Sequence, residues 1–345
     1  MKDLKIITVV PADLAFAWEI EIVCENYRKY NLSDKLTVLI AYNEDSEKFL
    51  NYWGKLEDKY NEVIFRIYDV NHIKNLINTY IPIIRPYCLK EYFKANPELK
   101  NKAIYYVDSD VIFTKSFDFN KYKDSDTIYA SDISSYNNYQ YFDSKKKDVM
   151  MHKKAQYEKL DVLDCCAKII GITGELIRKS PMMGGCQYIL KNIDWQFWEK
   201  VQEDCIKIKL YLTEINQTFF PSEEKGIQSW CTDLFVIWWN LLKRGDILST
   251  PEDMNFSWAT SPIEDWNKNS IYHNAGIVKG QYLDTDKKIK IFNKSDVRFR
   301  NNIITPFDIQ YWGETSKNYC NYNYLEIIKN MSGKAISKTK GILKY

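Results

Sequence analysis

The chain has 345 residues, 45% of them hydrophobic, which excludes a disordered segment and allows one large domain or two closely joined ones. With 48 basic against 46 acidic residues, there is no overall field that would draw it to nucleic acid or a membrane surface. Eight cysteines without a Cys-x-x-Cys pair or a zinc spacing read as reduced core thiols, and the lack of a basic leader or long apolar stretch predicts a soluble, cytoplasmic protein without a transmembrane segment.

Lys5 to Val10 predicts a first strand. Phe16, Ile20, Val23, Cys24 and Tyr27 then recur at helical spacing, and Leu36 to Ile40 returns to a buried strand. A third strand is expected over Val63 to Tyr68, followed by a mostly helical stretch to about Lys94 that contains Arg85. The apolar run Ala103 to Val107 is the next strand. Strands alternating with helices imply a mainly parallel, three-layer α/β fold. From Ser134 to about residue 160 the pattern breaks into Asn, Tyr, Lys and Asp, which reads as an insertion or flap. Gly184 to Leu190 predicts a strand entered through glycines, and Asp194 caps a helix with Trp195, Trp198, Val201 and Cys205 toward the core. Ile227, Trp230, Cys231, Leu234, Trp238 and Leu241 form the stripe of a further helix, with Asp233 off it. Trp258 and Trp266 fall in a loop-like stretch, Asn255 to Asn269, and are the better aromatic candidates for an acceptor. The last seventeen residues carry five lysines and no acid, and read as a loose basic tail.

Asp-x-Asp occurs three times, at Asp108-Ser109-Asp110, Asp124-Ser125-Asp126 and Asp284-Thr285-Asp286, but only the first ends a buried strand. Ligands of parallel sheets collect at the carboxyl ends of strands, and two carboxylates there are costly without a cation. Side chains at i and i+2 of an extended segment share a face, so Asp108 and Asp110 converge while Ser109 turns away. Such a pair suits Mg²⁺ or Mn²⁺, especially where substrate phosphates complete the shell. His273, one of only three histidines, stands in His273-x-x-Gly276-x-x-Lys279. The imidazole can be a third ligand, Gly276 lets backbone approach a phosphate, and Lys279 supplies a positive charge to it.

Val107-Asp108-Ser109-Asp110-Val111 with the downstream His273-x-x-Gly276-x-x-Lys279, and Arg85 on the helix before the Asp strand, resembles the retaining GT-A glycosyltransferases of the glycogenin and bacterial lipopolysaccharide galactosyltransferase type. Gly184 to Leu190 and the helix bearing Asp233 are more similar to plant peptidyl-serine galactosyltransferases and hydroxyproline arabinosyltransferases. The resemblance covers residues 4 to 280. It implies a GT-A fold over 1–300, with a nucleotide-sugar half at 1–115, the insertion or flap at 134–160, an acceptor half at 180–300, and a C-terminal extension over 301–345. It further implies a UDP-sugar donor and Mn²⁺ or Mg²⁺ held by Asp108, Asp110 and His273. Pro11, Asp13, Arg85, Asp108, Ser109, Gly276 and Lys279 become the donor-binding set, and Asp233 or Gln187 the residue beneath the sugar. Where the family commonly has Pro-Trp after the lysine, this chain has Gly280-Gln281.

The implied reaction moves a hexose, glucose or galactose, to a hydroxyl acceptor with retention of configuration. If the reaction inverts instead, Asp132, Asp233, Glu264 or Asp265 could take the proton. The acceptor is a glycan, a protein hydroxyl or a modified nucleic acid; the lysine runs at 145–154 and the basic tail keep a hydroxymethylated DNA base open. Nucleotidyl transfer is the alternative of another class, since it also uses paired carboxylates and metals.

Overall fold

Strands without polar alternation build the centre of the fold, as expected of a largely parallel sheet. The computed structural model describes residues 3–180, 182–275, 306 and 317–342, with side chains for all of these but 136 and 332–342. Among the described residues the strands are β1 (Leu4–Pro11), β2 (Leu36–Tyr42), β3 (Ile64–Asp69), β4 (Ala103–Val107), β5 (Val111–Phe113), β6 (Ile128–Asp132), β7 (Gly184–Leu190), β8 (Leu248–Ser249), β9 (Phe256–Trp258) and β10 (Ile271–His273). The longer helices are α1 (Leu14–Lys29), α2 (Leu50–Lys59), α3 (Ile84–Ala95), α4 (Trp195–Phe219), α5 (Thr232–Arg244) and α7 (Cys320–Ile342), with the short α6 (Ile263–Lys268) before the last. Seven strands form one sheet in the order β3-β2-β1-β4-β7-β6-β8, and β5-β10-β9 form a second. β4 is parallel to β1, whereas β7 runs against both β4 and β6. β8 is parallel to β6, so β7 is the reversed strand of this part of the sheet.

Contacts divide the chain into two units. The first comprises Met1–Val9, Tyr68–Val107 and Phe119–Glu252. In it the Tyr106 and Tyr188 rings stack across β4 and β7, and Trp198 of α4 covers Tyr106 edge-on. The Tyr188 hydroxyl donates to the carbonyls of Gly184 and Leu234. Asp194 caps α4 by accepting from Phe197 N, and Gly245 ends α5 in the left-handed region at φ 76°, which costs glycine little. Gly184 is a close approach: a Cβ there would overlap Ala130 and the Trp238 ring. Gly184→Ala is therefore expected to cost about 1–3 kcal/mol in urea unfolding, through overpacking.

Two expectations for this unit change. Trp230 precedes α5 in a 3₁₀ turn and is 62% exposed, so the helical stripe does not extend back to it. Asp233, expected off the stripe, is buried because α5 is enclosed on nearly every side at its N-terminal half. The segment read as an insertion or flap is a run of short helical turns packed on its own unit. Phe142 lies against Phe235 and Trp239, and Tyr157 lies against Phe219 and Phe220.

The second unit comprises Val10–Ile67, Asp108–Asp118 and Asp253–Tyr345. Asp13 caps α1 by accepting from Ala15 N at 2.9 Å. Farther along α1, the buried Asn26 accepts from Phe113 N and donates to Phe113 O, which gives β5 a strand-like partner on a helix. The stretch expected to be loop-like contains β9 and α6. Cys320–Ile342, within the stretch expected as an extension ending in a loose tail, form α7. Its first turns bury Cys320, Asn321, Tyr324, Leu325 and Ile328, which recur at helical spacing. All eight cysteines are free thiols, and all but Cys165 are buried. No helix among the described residues is long and apolar enough to cross a membrane.

Candidate metal centre

β4 is buried throughout, and Asp108 follows directly on its last residue. The chain does not stay extended there. Ser109 and Asp110 form a turn, and Val111 starts β5, which joins the other sheet. Any approach of the two carboxylates to a common partner therefore comes from a reversal of the chain and not from strand alternation.

β10 meets β5 in antiparallel register, with His273 opposite Val111. As β5 leaves the aspartate turn, β10 arrives at it, and Asn274 N donates to the Asp110 carbonyl at 2.9 Å. His273 Nε2 lies 3.0 Å from Asp110 Oδ1 and 3.7 Å from Asp108 Oδ2. The three side chains are only 5, 7 and 14% exposed, in the order His273, Asp110, Asp108. Parallel pairing of β9 with β10 sets Trp258 opposite His273, and the rings stack at 5.1 Å and 24°. Behind them the Tyr272 hydroxyl donates to Asn274 Oδ1, Asn321 Nδ2 donates to the same oxygen, and Tyr324 stacks on Tyr272. The start of α7 therefore supports the strand that carries the histidine.

This donor set fits a hard divalent cation. Ligands about 2.1 Å from one ion lie roughly 3–4 Å from one another, which is the spacing of the two contacts to Nε2. Two carboxylate oxygens and an imidazole nitrogen suit Mn²⁺ or Mg²⁺, and the burial of two acids is stabilised by a positive charge between them.

In the second unit, Pro11 ends β1 and Asp13 is the cap of α1. The Ser109 hydroxyl donates to Glu19 of α1 at 2.8 Å. In the first unit, Arg85 and Asp233 meet each other: Arg85 Nη1 is 2.8 Å from Asp233 Oδ2. The Tyr80 hydroxyl donates to Asp233 Oδ1 at 3.0 Å and accepts from Asp233 N at 2.8 Å. Burial, and then the charge of Asp233, push the Tyr80 phenol well above its ordinary range, so it remains a donor. Gln187 lies on β7 opposite Val107, fully buried, and neither amide atom has a hydrogen-bond partner among the described residues. Its neighbour Cys186 has φ 64°, the left-handed region, where a non-glycine residue is uncommon. Gly276 and Lys279 lie outside the described residues.

Sequence reasoning did not single out Glu19, Asn321 or Tyr324. The signal for Glu19 was present: an acid between Trp18 and Ile20, in a helix whose buried residues continue almost without a polar face.

No family model matches the chain, and no curated protein sequence matches it. Among solved structures, the galactosyltransferase LgtC, in complex with donor and acceptor sugar analogs, is similar over 85% of this chain and 93% of its own, at 13% identity and a TM-score of 0.38. Mouse xyloside xylosyltransferase 1, in its apo form, is similar over 79% of this chain and 98% of its own, at 9% identity and a TM-score of 0.35.

Proposed function

We propose that the chain is a metal-dependent glycosyltransferase that moves a hexose, glucose or galactose, from a UDP-sugar to a hydroxyl acceptor with retention of configuration. The observation that carries this reading is that His273 Nε2, more than 160 positions downstream in sequence, reaches the carboxylates of both Asp108 and Asp110.

Asp108, Asp110 and His273 would hold Mn²⁺ or Mg²⁺, with Asp108 also toward the ribose. A cation held there would supply charge that offsets the negative charge building on a departing diphosphate. On the family resemblance alone, Lys279 would supply a positive charge to the same phosphate. Trp258 keeps the imidazole in one orientation, which spares His273 the entropy of ordering on binding. The donor contact of Arg85, a place beside the nucleotide for Pro11 and Asp13, and a place beneath the sugar for Gln187 or Asp233 rest on the family resemblance. The unpartnered amide of Gln187 adds to its case, since a buried amide left unsatisfied costs about 1–3 kcal/mol unless something bonds to it. With retention, the acceptor hydroxyl attacks the face that the diphosphate leaves, and no strong protein base is needed.

The test is incubation with a panel of nucleotide sugars and Mn²⁺, detecting which donor loses its sugar, with proton NMR of the product for the stereochemistry. Loss of sugar from none of them, with or without acceptor, would overturn the reading. Metal binding has its own readout. At a hundred times its Kd, Mn²⁺ is expected to stabilise the fold by about 2.7 kcal/mol, visible as a higher Tm that EDTA reverses.

A further inference from the structure

We propose that Glu19, acting through Ser109, is a positioning residue for the cation site; this rests on the metal-dependent reading above. Asp108 and Asp110 are carried by a turn, and nothing in the covalent geometry of a turn compels two carboxylates to face the same histidine. The side chain between them is what the fold can hold. Ser109 Oγ donates to Glu19 Oε2 at 2.8 Å, across 90 positions of sequence, and both residues are buried. Glu19 is 2% exposed and sits in α1, a helix anchored at Asp13 by its cap and at Asn26 by the paired hydrogen bonds to Phe113. The turn is thus tied to α1 through Ser109 and to β10 through Asn274 N and the Asp110 carbonyl. Between these two ties lies Asp110, whose Oδ1 is 3.0 Å from His273 Nε2.

A carboxylate is a demanding choice for this task. A buried ion costs several kcal/mol of hydration, so a neutral acceptor would serve a purely structural turn at lower cost. A hydrogen bond to a charged acceptor is also shorter and roughly twice as strong as a neutral one, which suits a contact that must hold a turn against two like-charged neighbours. Groups behind a metal's direct ligands typically change its affinity by about 10–100-fold when removed.

The experiment measures Mn²⁺ binding from the free-ion EPR signal in the full chain, in the parent protein and in Ser109→Ala, Glu19→Ala and Glu19→Gln, without any donor or acceptor present. Ser109→Ala and Glu19→Ala are expected to weaken Mn²⁺ binding by about 10–100-fold and by similar factors, because each removes the same hydrogen bond. Glu19→Gln, which keeps an oxygen for Ser109 but not the charge, is expected to recover part of the loss. Mn²⁺ affinity within twofold of the parent in Ser109→Ala would overturn the proposal, as would Glu19→Gln binding as weakly as Glu19→Ala. A parent protein that binds no Mn²⁺ would instead sink the metal-dependent reading itself, and the positioning role with it.

Discussion

Asp110→Ala is expected to lower Mn²⁺-dependent turnover of UDP-sugars by at least about a hundredfold and to weaken Mn²⁺ binding by a similar factor. The magnitude follows from the place of Asp110. Losing a group behind a metal's ligands costs about 10–100-fold in affinity, and losing a ligand costs more. Asp110 is also the closer of the two carboxylates to His273 Nε2, at 3.0 Å against 3.7 Å. Asp126→Ala is the matched control: it removes an acid from the same tripeptide pattern, but from an exposed position. Titration calorimetry with Mn²⁺ and an assay of sugar release from the donor check both quantities. Turnover in Asp110→Ala equal to the parent's would defeat the metal-dependent reading.

The second large effect is on stability. Arg85→Ala is expected to destabilise the protein by about 3 kcal/mol, because removing one partner of a buried pair leaves the other charge in the interior. Asp233 is 1% exposed, and Tyr80 can hydrogen-bond it but cannot neutralise it. The estimate sits at the low end of the usual range because Arg85 keeps 28% of its side chain exposed, so water reaches the guanidinium. Asp233→Asn, which retains an acceptor for Tyr80 and removes the charge, is expected to cost less than Asp233→Ala. Urea unfolding of the four proteins decides it, and a double-mutant cycle gives the coupling between the two residues. A loss below about 0.5 kcal/mol in Arg85→Ala would mean that the pair contributes no more than an exposed ion pair. Slower turnover in Arg85→Ala speaks for donor contact only where it exceeds what the lost stability accounts for.

Local chemistry made much of the framework legible. The β-α-β opening and the strand Gly184–Leu190 lie where periodicity and glycines put them, and Asp194 caps its helix as its residue type predicts. The errors have local causes too. Trp230 has the right spacing for the α5 stripe, but a 3₁₀ turn has a different period, and the side chain ends in solvent. The lysines after Tyr324 obscured the helical recurrence of Cys320, Tyr324, Leu325 and Ile328, whose first turn reaches Asn274 through Asn321. Arg85 and Asp233 were each singled out, yet their contact with each other was not, because ion pairing between distant segments leaves no periodic trace.

What the sequence determined by itself is which chemistry was available: acids at the end of a buried strand, and a histidine among few in a glycine-bearing segment. Residue type and burial pattern are local properties, so a single chain displays them. What only the tertiary structure decided is that these groups share one cluster. That depends on the antiparallel register of β10 on β5, on the reversal of the chain at Ser109, and on a glutamate of α1 accepting from its hydroxyl. Register and reversal are set by backbone pairing and burial between segments far apart in the chain, and no local pattern encodes the partner of either.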